Sequence, residues 1–197
     1  MKKFIPIIVV LVLLFLWINP AGKYNKMVNL DEGVKTEWGQ VENQYQRRMD
    51  LIPNLEATVK GAADFEKDTL TQVIEARANA TKTNINVQDA AEFAEFQKQQ
   101  TGISSAMSRL MVVMEKYPTL TATKEFGEFR VQLEGTENRI STARDRYNET
   151  AKLYNVYVRQ FPNNIWAGMF GFARAQIFES APEAAEAPSV DFSSEDE

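Results

Sequence analysis

Residues 4–18 form a run of fifteen residues without a charged side chain, and an apolar series with helical spacing follows it after a short polar collar. Two lysines precede the run, as in a secretory signal peptide, but a cut after Ala21 would lack the small residue needed three positions upstream. We therefore expect an uncleaved transmembrane anchor over residues 1–22, about 28 Å long with its flanks. Trp17 lies where an interfacial aromatic residue is expected.

The lysines beside this run set the expected orientation. Two precede it and three follow within about 18 residues, so the positive-inside rule favours neither side. A short N-terminus that carries two lysines usually stays in the cytoplasm. We therefore expect a single-pass membrane protein with the bulk of the chain outside the cytoplasm.

Composition excludes several kinds of chemistry. The sequence has no Cys and no His, which rules out thiol nucleophiles, imidazole general bases and Cys or His metal sites. We expect no catalytic residue, no cofactor and no metal. Seven acids lie in residues 179–197, so the formal net charge of −5 becomes +2 for residues 1–178. That leaves no broad basic field to attract nucleic acid.

The apolar residues after the collar recur at steps of three and four over residues 24–62, which predicts one long amphipathic helix. The series includes Met27, Val34, Trp38, Val41, Tyr45, Arg48, Ile52, Leu55 and Val59. Pro53 lies inside the same segment. Because a proline removes one backbone hydrogen bond and clashes with the preceding turn, we expect a kink or a break near it.

Three further helical patterns follow this one. They cover residues 66–81, 93–117 and 120–161, and either Asn86 or Asp89 is expected to cap the second of them. Each helix has one apolar stripe to bury, and short turns let neighbours in sequence pack together. The pattern therefore predicts an all-α fold, an antiparallel up-and-down four-helix bundle that follows the transmembrane helix.

The chain divides into four predicted parts. They are a transmembrane anchor over 1–22, a four-helix bundle over 23–161, an amphipathic aromatic segment near the membrane over 162–178, and an acidic disordered tail over 179–197. Helix lengths predict a register in which the numbers of partner residues on the first and last helices add up to about 182. That register returns the last helix to the level where the first one begins.

Arg48 is a charged residue within an apolar stripe, and the predicted register brings Glu134 and Glu137 within its reach. A buried guanidinium requires such partners because an uncompensated buried charge is strongly destabilising. The same register places Asn25 opposite Asn155. We interpret these residues as structural polar contacts between helices rather than as catalytic groups.

Residues 162–178 carry a broad apolar face on the predicted helix, with Arg174 as the one charged residue after Asn164. We expect contact with the membrane or with another protomer at Ile165, Trp166, Met169, Phe170, Phe172 and Phe178, together with Trp17. Packing against the end of the bundle is the simpler alternative. Gly168 and Gly171 weaken an isolated helix here, so a partner surface must stabilise it.

Several short motifs follow one another in a characteristic order. The first half contains Tyr24-Asn25, Val28, Trp38, the run Arg47-Arg48-Met49-Asp50-Leu51-Ile52-Pro53-Asn54-Leu55, and Val73 to Arg77. The second half contains Glu115 to Leu120, Phe126, Glu137, Ala143-Arg144, Tyr147-Asn148, Tyr154-Asn155 and Phe161-Pro162. With these motifs, residues 1–178 resemble the LemA family of bacterial membrane proteins, and residues 179–197 lie outside the pattern. The resemblance implies a membrane anchor, an up-and-down four-helix bundle and no established catalytic residue.

These features lead to hypotheses of different classes. The first is a non-enzymatic, membrane-anchored scaffold that self-associates and organises membrane or partner proteins. Its expected partners are membrane lipid, further copies of the chain and an unidentified protein. The alternatives are a membrane-tethered sensor or adaptor that flexes at Pro53, and a carboxylate-based hydrolase or metal protein. The last is disfavoured because the Glu-x-x-His motifs of helical-bundle metal sites need His.

Overall fold

The structure, a computed structural model, describes residues 7–10, 20–60, 67–80 and 85–179. All regular secondary structure within these ranges is helical, which confirms the all-α fold. The helices are α1 (Pro20–Lys60), α2 (Lys67–Asn79), α3 (Ala90–Met114), the single turn α4 (Pro118–Thr121), α5 (Lys124–Arg159) and α6 (Asn163–Phe170). Residues 7–10 are helical as well. The four predicted helices agree with α1, α2, α3 and α5 to within four residues at each end.

Polar side chains fix where α3 and α5 begin. Asp89 accepts hydrogen bonds from two backbone N–H groups in the first turn of α3, and Thr123 accepts one at the start of α5. Of the two caps predicted for α3, Asp89 is the one observed. Asn86 instead accepts a hydrogen bond from the Gln88 N–H in the preceding turn.

Helix α1 runs through Pro53 without interruption, so the predicted break is absent. Pro53 lies on the exposed face, while Ile52 and Leu55 are fully buried on the other side. A proline inside a helix costs about 3 kcal/mol, and burying two large aliphatic side chains contributes roughly the same amount or more. Packing against the neighbouring helices therefore holds the helix together across the proline.

The expectation of a single-pass N-terminal anchor is overturned. Within residues 7–10, 20–60, 67–80 and 85–179, no helix combines the length and the apolar character that are needed to cross a bilayer. The long helix α1 is amphipathic, with apolar residues on one stripe and charged residues on the other faces, so its length alone does not make it a span. The placement of the bulk of the chain outside the cytoplasm depended on that anchor and falls with it. Trp17 and the remainder of the apolar run outside 7–10 lie beyond the described residues.

The buried side chains form two clusters along the length of α1. The first, called the aromatic half, joins the N-terminal part of α1 to the C-terminal part of α5 and is rich in rings: Trp38, Tyr45, Phe93, Phe96, Tyr147, Tyr154, Trp166 and Phe178. The second, called the aliphatic half, joins the C-terminal part of α1 to α2, α3 and the start of α5: Met49, Ile52, Leu55, Val73, Ile103, Met107, Leu110, Met114 and Leu133. Every apolar residue from Met27 to Val59 in the predicted α1 series is buried in one half or the other.

Contacts between α1 and α5 confirm that the two helices are antiparallel. Trp38 packs on Tyr147 with ring centroids 5.3 Å apart, and Arg48 pairs with Glu137 at 3.1 Å, so the numbers of each pair add up to 185. The predicted sum of about 182 is correct to within one helical turn. At the end of the pair, Lys23 Nζ donates to Asn163 Oδ1 at 2.8 Å. The start of α1 and the end of α5 therefore lie at the same level, as predicted.

The single helix predicted over residues 162–178 is wrong in its second half. Helix α6 ends at Phe170, and Gly171 follows with a φ of 77°, a left-handed conformation that favours glycine and terminates helices. Residues 172–179 then continue without regular secondary structure and return along α5. We call residues 172–179 the strap. The strap, and not a longer helix, carries Phe172 and Phe178.

Candidate functional site

Arg48 is the largest fully buried polar side chain that the structure describes, with 1% of its surface exposed. Its guanidinium donates to Ser104 Oγ at 2.6 Å, to Gln100 Oε1 at 2.7 Å and to Glu137 Oε1 at 3.1 Å. It also lies over the Tyr45 ring, 5.1 Å from the centroid. The cluster joins α1, α3 and α5 at the border between the two halves of the core, and hydrogen bonds to a charged donor are the stronger kind.

Two residues predicted for this polar core lie elsewhere. Glu134 forms an ion pair with Arg130 on its own helix, and both side chains are largely exposed. Asn25 is exposed on α1 rather than buried. Only Glu137 reaches Arg48, because it lies nearly one turn further along α5 than Glu134.

A small cavity of about 130 Å³ opens beside this cluster. Arg48, Ser104 and Glu137 line one side of it, and Arg144 and Phe178 line another. The Arg144 guanidinium lies over the Phe178 ring, 4.5 Å from its centroid. Through Phe178, the strap therefore lines the same cavity as the polar cluster that joins the three helices.

Two asparagines of α5 hold the strap by its backbone. The Asn155 amide donates to the Ala175 C=O at 2.8 Å and accepts from the Ala175 N–H at 2.9 Å. The Asn148 amide donates to the Phe178 C=O at 2.9 Å and accepts from the Phe178 N–H at 2.9 Å. Each asparagine thus satisfies both main-chain groups of one strap residue, as a neighbouring strand would do.

Two tyrosines add one hydrogen bond each. Tyr147 Oη donates to the Gln176 C=O at 2.7 Å, and Tyr154 Oη donates to the Ala173 C=O at 2.6 Å. Burial raises the pKa of both hydroxyls above the ordinary value for tyrosine, that of Tyr154 to about 12. Both phenols therefore remain protonated and able to donate at neutral pH. We call Tyr147, Asn148, Tyr154 and Asn155 the Tyr–Asn ladder.

The spacing of the ladder explains why the strap is extended. The two Tyr-Asn pairs are seven residues apart on α5, which is about 10.5 Å along a helix. Their partners on the strap are three residues apart, which is about 10 Å along an extended chain. Because Asn148 binds Phe178 and Asn155 binds Ala175, the strap runs antiparallel to α5. A helical segment rises only about 4.5 Å in three residues and would not meet both pairs.

Side chains of the strap complete the aromatic half of the core. Phe178 is buried, and its ring centroid lies 5.0 Å from that of Phe93, 5.6 Å from that of Tyr147 and 6.0 Å from that of Trp38. Ala175 is buried as well. The Gln176 N–H donates to the Val87 C=O at 2.8 Å, which ties the strap to the loop before α3. Such ring pairs stabilise a core by more than the area they bury.

The aromatic residues around α6 divide into buried and exposed sets. Trp166 is buried in the aromatic half, and Phe172 is partly buried against it. Tyr24 packs edge-on against Phe170, with centroids 5.0 Å apart. The exposed apolar side chains gathered at this end are Tyr24, Phe161, Ile165, Met169 and Phe170. We call these five residues the apolar end; Phe161 has 82% and Met169 65% of its surface exposed.

Metal ligands are not grouped in the described part of the chain. Across residues 7–10, 20–60, 67–80 and 85–179, no three His, Cys, Asp or Glu side chains lie close enough together to hold a metal ion. The polar groups that do converge bind each other or the strap backbone. The arrangement holds residues 172–179 of the same chain in an extended conformation and links α1, α3 and α5 through Arg48.

A comparison with protein-family models shows which family the chain belongs to. The sequence model of the LemA family matches residues 37–192, most of the chain. The chain belongs to the LemA family. The match begins after Tyr24-Asn25 and Val28 but contains the other motifs of the first half, and it includes most of residues 179–197, which the motifs alone do not reach. The match contains α2, α3, α5 and the strap.

Relatives of this LemA-family chain include two magnetosome proteins and a LemA protein. Magnetosome protein MamQ 2 of Paramagnetospirillum magneticum is 26% identical over 179 residues, which cover 81% of this chain and 66% of the relative. Magnetosome protein MamQ of Magnetospirillum gryphiswaldense is 24% identical, with the same two shares covered. Protein LemA of Metamycoplasma hominis is 23% identical over 161 residues, 82% of this chain and 71% of the relative. This chain therefore spans just under two thirds of the length of the MamQ relatives.

Sequence reasoning singled out Asn155 but missed what it binds. It paired Asn155 with Asn25 across two helices, whereas the structure pairs it with the backbone of Ala175. Two signals were present. The first is that the Tyr-Asn pair recurs after seven residues, which places two pairs able to bind a backbone on one face of a helix. The second is Gly171, because glycine often ends a helix.

Proposed function

We propose that this LemA-family chain is a non-enzymatic scaffold that binds a membrane surface and self-associates through its apolar end, and so organises lipid or partner proteins. The observation that carries the proposal is the exposed cluster of Tyr24, Phe161, Ile165, Met169 and Phe170 at one end of a long helical rod. Clustered exposed aromatic and aliphatic side chains are typical of protein or membrane interaction sites.

Charges near the apolar end fit a lipid surface. Arg159 and Arg174 are exposed and line one groove on α5, and Lys26 is exposed near the start of α1. Basic side chains next to apolar ones favour the interface of a bilayer that contains anionic lipids. The described fold supports a scaffold further, because its polar groups are used to hold helices and strap together.

The rod of this scaffold is proposed to be an antiparallel up-and-down four-helix bundle of α1, α2, α3 and α5. The antiparallel contacts of α1 with α5 and the packing of α2 against α1 and α3 support that arrangement. A rod of this kind would carry the apolar end at one tip. The membrane surface and other copies of the chain would then both bind at that tip.

Vesicle binding tests the membrane half of the proposal. The full chain is mixed with vesicles of phosphatidylcholine and phosphatidylglycerol, and the bound fraction is measured by co-sedimentation. We expect the triple variant Phe161→Ser, Ile165→Ser, Met169→Ser to lose most of its binding. The matched control replaces the exposed apolar residues Ile74, Val112 and Val131, which lie along the aliphatic half, with serine. Equal binding by both triple variants would refute the membrane role.

Light scattering of the same proteins in detergent tests self-association. We expect the unmodified chain and the control variant to form a defined oligomer whose population rises with protein concentration, and the apolar-end variant to remain smaller. A chain that stays monomeric at every concentration would refute self-association. The sensor alternative has less support, because α1 is continuous through Pro53 and offers no break at which to flex.

A further inference from the structure

The strap is held through its main chain. All six hydrogen bonds from the Tyr–Asn ladder go to backbone N–H or C=O groups of the strap, and a seventh links the Gln176 N–H to the Val87 C=O. Bonds of this kind give affinity for extended chain of nearly any sequence, as in proteins that bind a peptide by strand addition. The ladder face of α5 is therefore a receptor for an extended segment.

Two side-chain pockets give this receptor its selectivity. Ala175 is buried against α5, which favours a small side chain at that position, and the Phe178 ring packs on those of Trp38, Phe93 and Tyr147. The receptor thus accepts a small residue followed three positions later by a phenylalanine. The strap of every copy of this chain carries that pair.

The connection between strap and helix is a single hinge. Gly171 has a φ of 77°, and no atom lies within 4 Å of the position that a Cβ would take there. Rotation at this residue redirects the strap without moving α6, whose Trp166 stays in the core. A glycine that turns a segment back onto its own chain is also where that segment can be redirected onto another chain.

We propose that the Tyr–Asn ladder of one copy binds the strap of a second copy, so that the chain self-associates by exchanging residues 172–179. The proposal rests on the self-association put forward above and adds a second contact to the apolar end, that of the Tyr–Asn ladder with the strap. A second copy is the occupant because it supplies the Ala175 and Phe178 side chains that the receptor fits. Exchange requires no new kind of contact, because each hydrogen bond between the strap and its own ladder is replaced by the same bond to the ladder of the second copy.

The absence of cysteine from the sequence makes a clean cross-linking experiment possible. Lys152 on α5 and Ile177 on the strap line the same groove, which has a volume of about 530 Å³. The full chain with Lys152→Cys is mixed with the full chain with Ile177→Cys, equilibrated in detergent and treated with a short bismaleimide. A covalent dimer is expected to form. In the control mixture, Val131→Cys replaces Lys152→Cys, because Val131 is exposed on α5 but does not line that groove.

Two further variants separate exchange from accidental proximity. Asn148→Ala with Asn155→Ala in the Lys152→Cys copy removes the receptor, and we expect the yield of covalent dimer to fall roughly tenfold or more, since four hydrogen bonds are lost. Gly171→Ala in the Ile177→Cys copy strains the left-handed turn that only the closed form needs. It is expected to raise the yield by about fivefold.

The double variant with both cysteines in one chain shows that the cross-linker fits, because its closed form is linked internally. Strap exchange is overturned if this internal link forms and the mixed single-cysteine chains give no covalent dimer above the Val131→Cys control. Light scattering of the same samples then separates the two ideas. Association without the link refutes strap exchange alone, and monomers at every concentration refute self-association as well.

Discussion

The two halves of the core are completed by different parts of the chain. In the aliphatic half, α2 supplies Leu70 and Val73, and Ala80 follows directly after the helix. In the aromatic half, none of the buried residues that the structure describes comes from α2. Ala175 and Phe178 of the strap take that place instead, next to the loop before α3.

The lengths of the helices explain the difference. Helix α1 has 41 residues, about 62 Å, whereas α2 has 13 residues, about 20 Å. A helix as short as α2 covers only part of the rod. An extended segment can close the remainder, but it brings unpaired N–H and C=O groups with it. The Tyr–Asn ladder is placed on the core stripe of α5 because it pairs those backbone groups.

Arg48 lies where the two halves meet. Tyr45, less than one turn before it, belongs to the aromatic half, and Met49, directly after it, belongs to the aliphatic half. Its guanidinium binds α3 and α5, and its cavity also touches Phe178 of the strap. A substitution at Arg48 should therefore destabilise both halves of the core, whereas a substitution in the Tyr–Asn ladder should destabilise only the aromatic half.

Replacement of Arg48 by alanine is expected to have the largest effect. It leaves the Gln100 side chain unpaired and opens a cavity in a buried site, which together should lower the free energy of unfolding by about 3–5 kcal/mol. Urea denaturation measures the loss. Hydrogen exchange should accelerate in α2 and in the strap alike. The control is Arg130→Ala, which removes an exposed ion pair and should change stability by less than about 0.5 kcal/mol.

Replacement of Asn155 by alanine should affect one half only. It leaves the Ala175 N–H and C=O without partners in a buried site, which is expected to cost about 2–3 kcal/mol. Hydrogen exchange should accelerate at Ala175 and Phe178 while α2 keeps the protection of the unmodified chain. Asn25→Ala, on the exposed face of α1, should change neither. Equal acceleration in both halves would show that the strap is not a separate element.

The sequence predicted the helices well because their signal is local. Steps of three and four between apolar residues placed α1, α2, α3 and α5, and the same pattern carried the antiparallel register that brings Arg48 to Glu137. The strap has no such period. Its conformation is set by partners on α5 that are distant in sequence, and in the sequence alone its apolar residues resemble one more helical face.

The remaining differences have equally local causes. A helix can cross a membrane only if it is both long enough and apolar throughout. Helix α1 is long enough, but it is amphipathic. Asn25 and Asn155 looked equivalent because both follow a tyrosine, yet Asn25 lies off the buried stripe. Glu134 and Glu137 were both within reach in a coarse register. Glu137 lies three residues, or about 300° around the helix axis, from Glu134, and only Glu137 pairs with Arg48.

Alkaline pH should loosen the aromatic half before the aliphatic one. Burial raises the pKa of Tyr154 to about 12, above the value of about 10 expected in the unfolded chain. The neutral phenol is thus favoured by folding, so its contribution is fully present below pH 10 and is lost as the pH rises towards 12. Urea denaturation should show a loss on the order of 1 kcal/mol at pH 11 that is smaller in Tyr154→Phe. An identical pH dependence in both proteins would contradict the assignment.

The smallest expected effect separates the two acids near the border. Glu137→Gln removes a carboxylate that pairs with Arg48 but is itself 42% exposed, and Arg48 keeps Ser104 and Gln100. We expect a loss of about 0.5–1 kcal/mol, because solvent screens a half-exposed pair. Glu134→Gln affects only an exposed pair within α5 and should stay within about 0.3 kcal/mol of the unmodified chain. In the background of Arg48→Ala, Glu137→Gln should lose its effect. If it does not, the Glu137 carboxylate stabilises the chain through a contact other than Arg48.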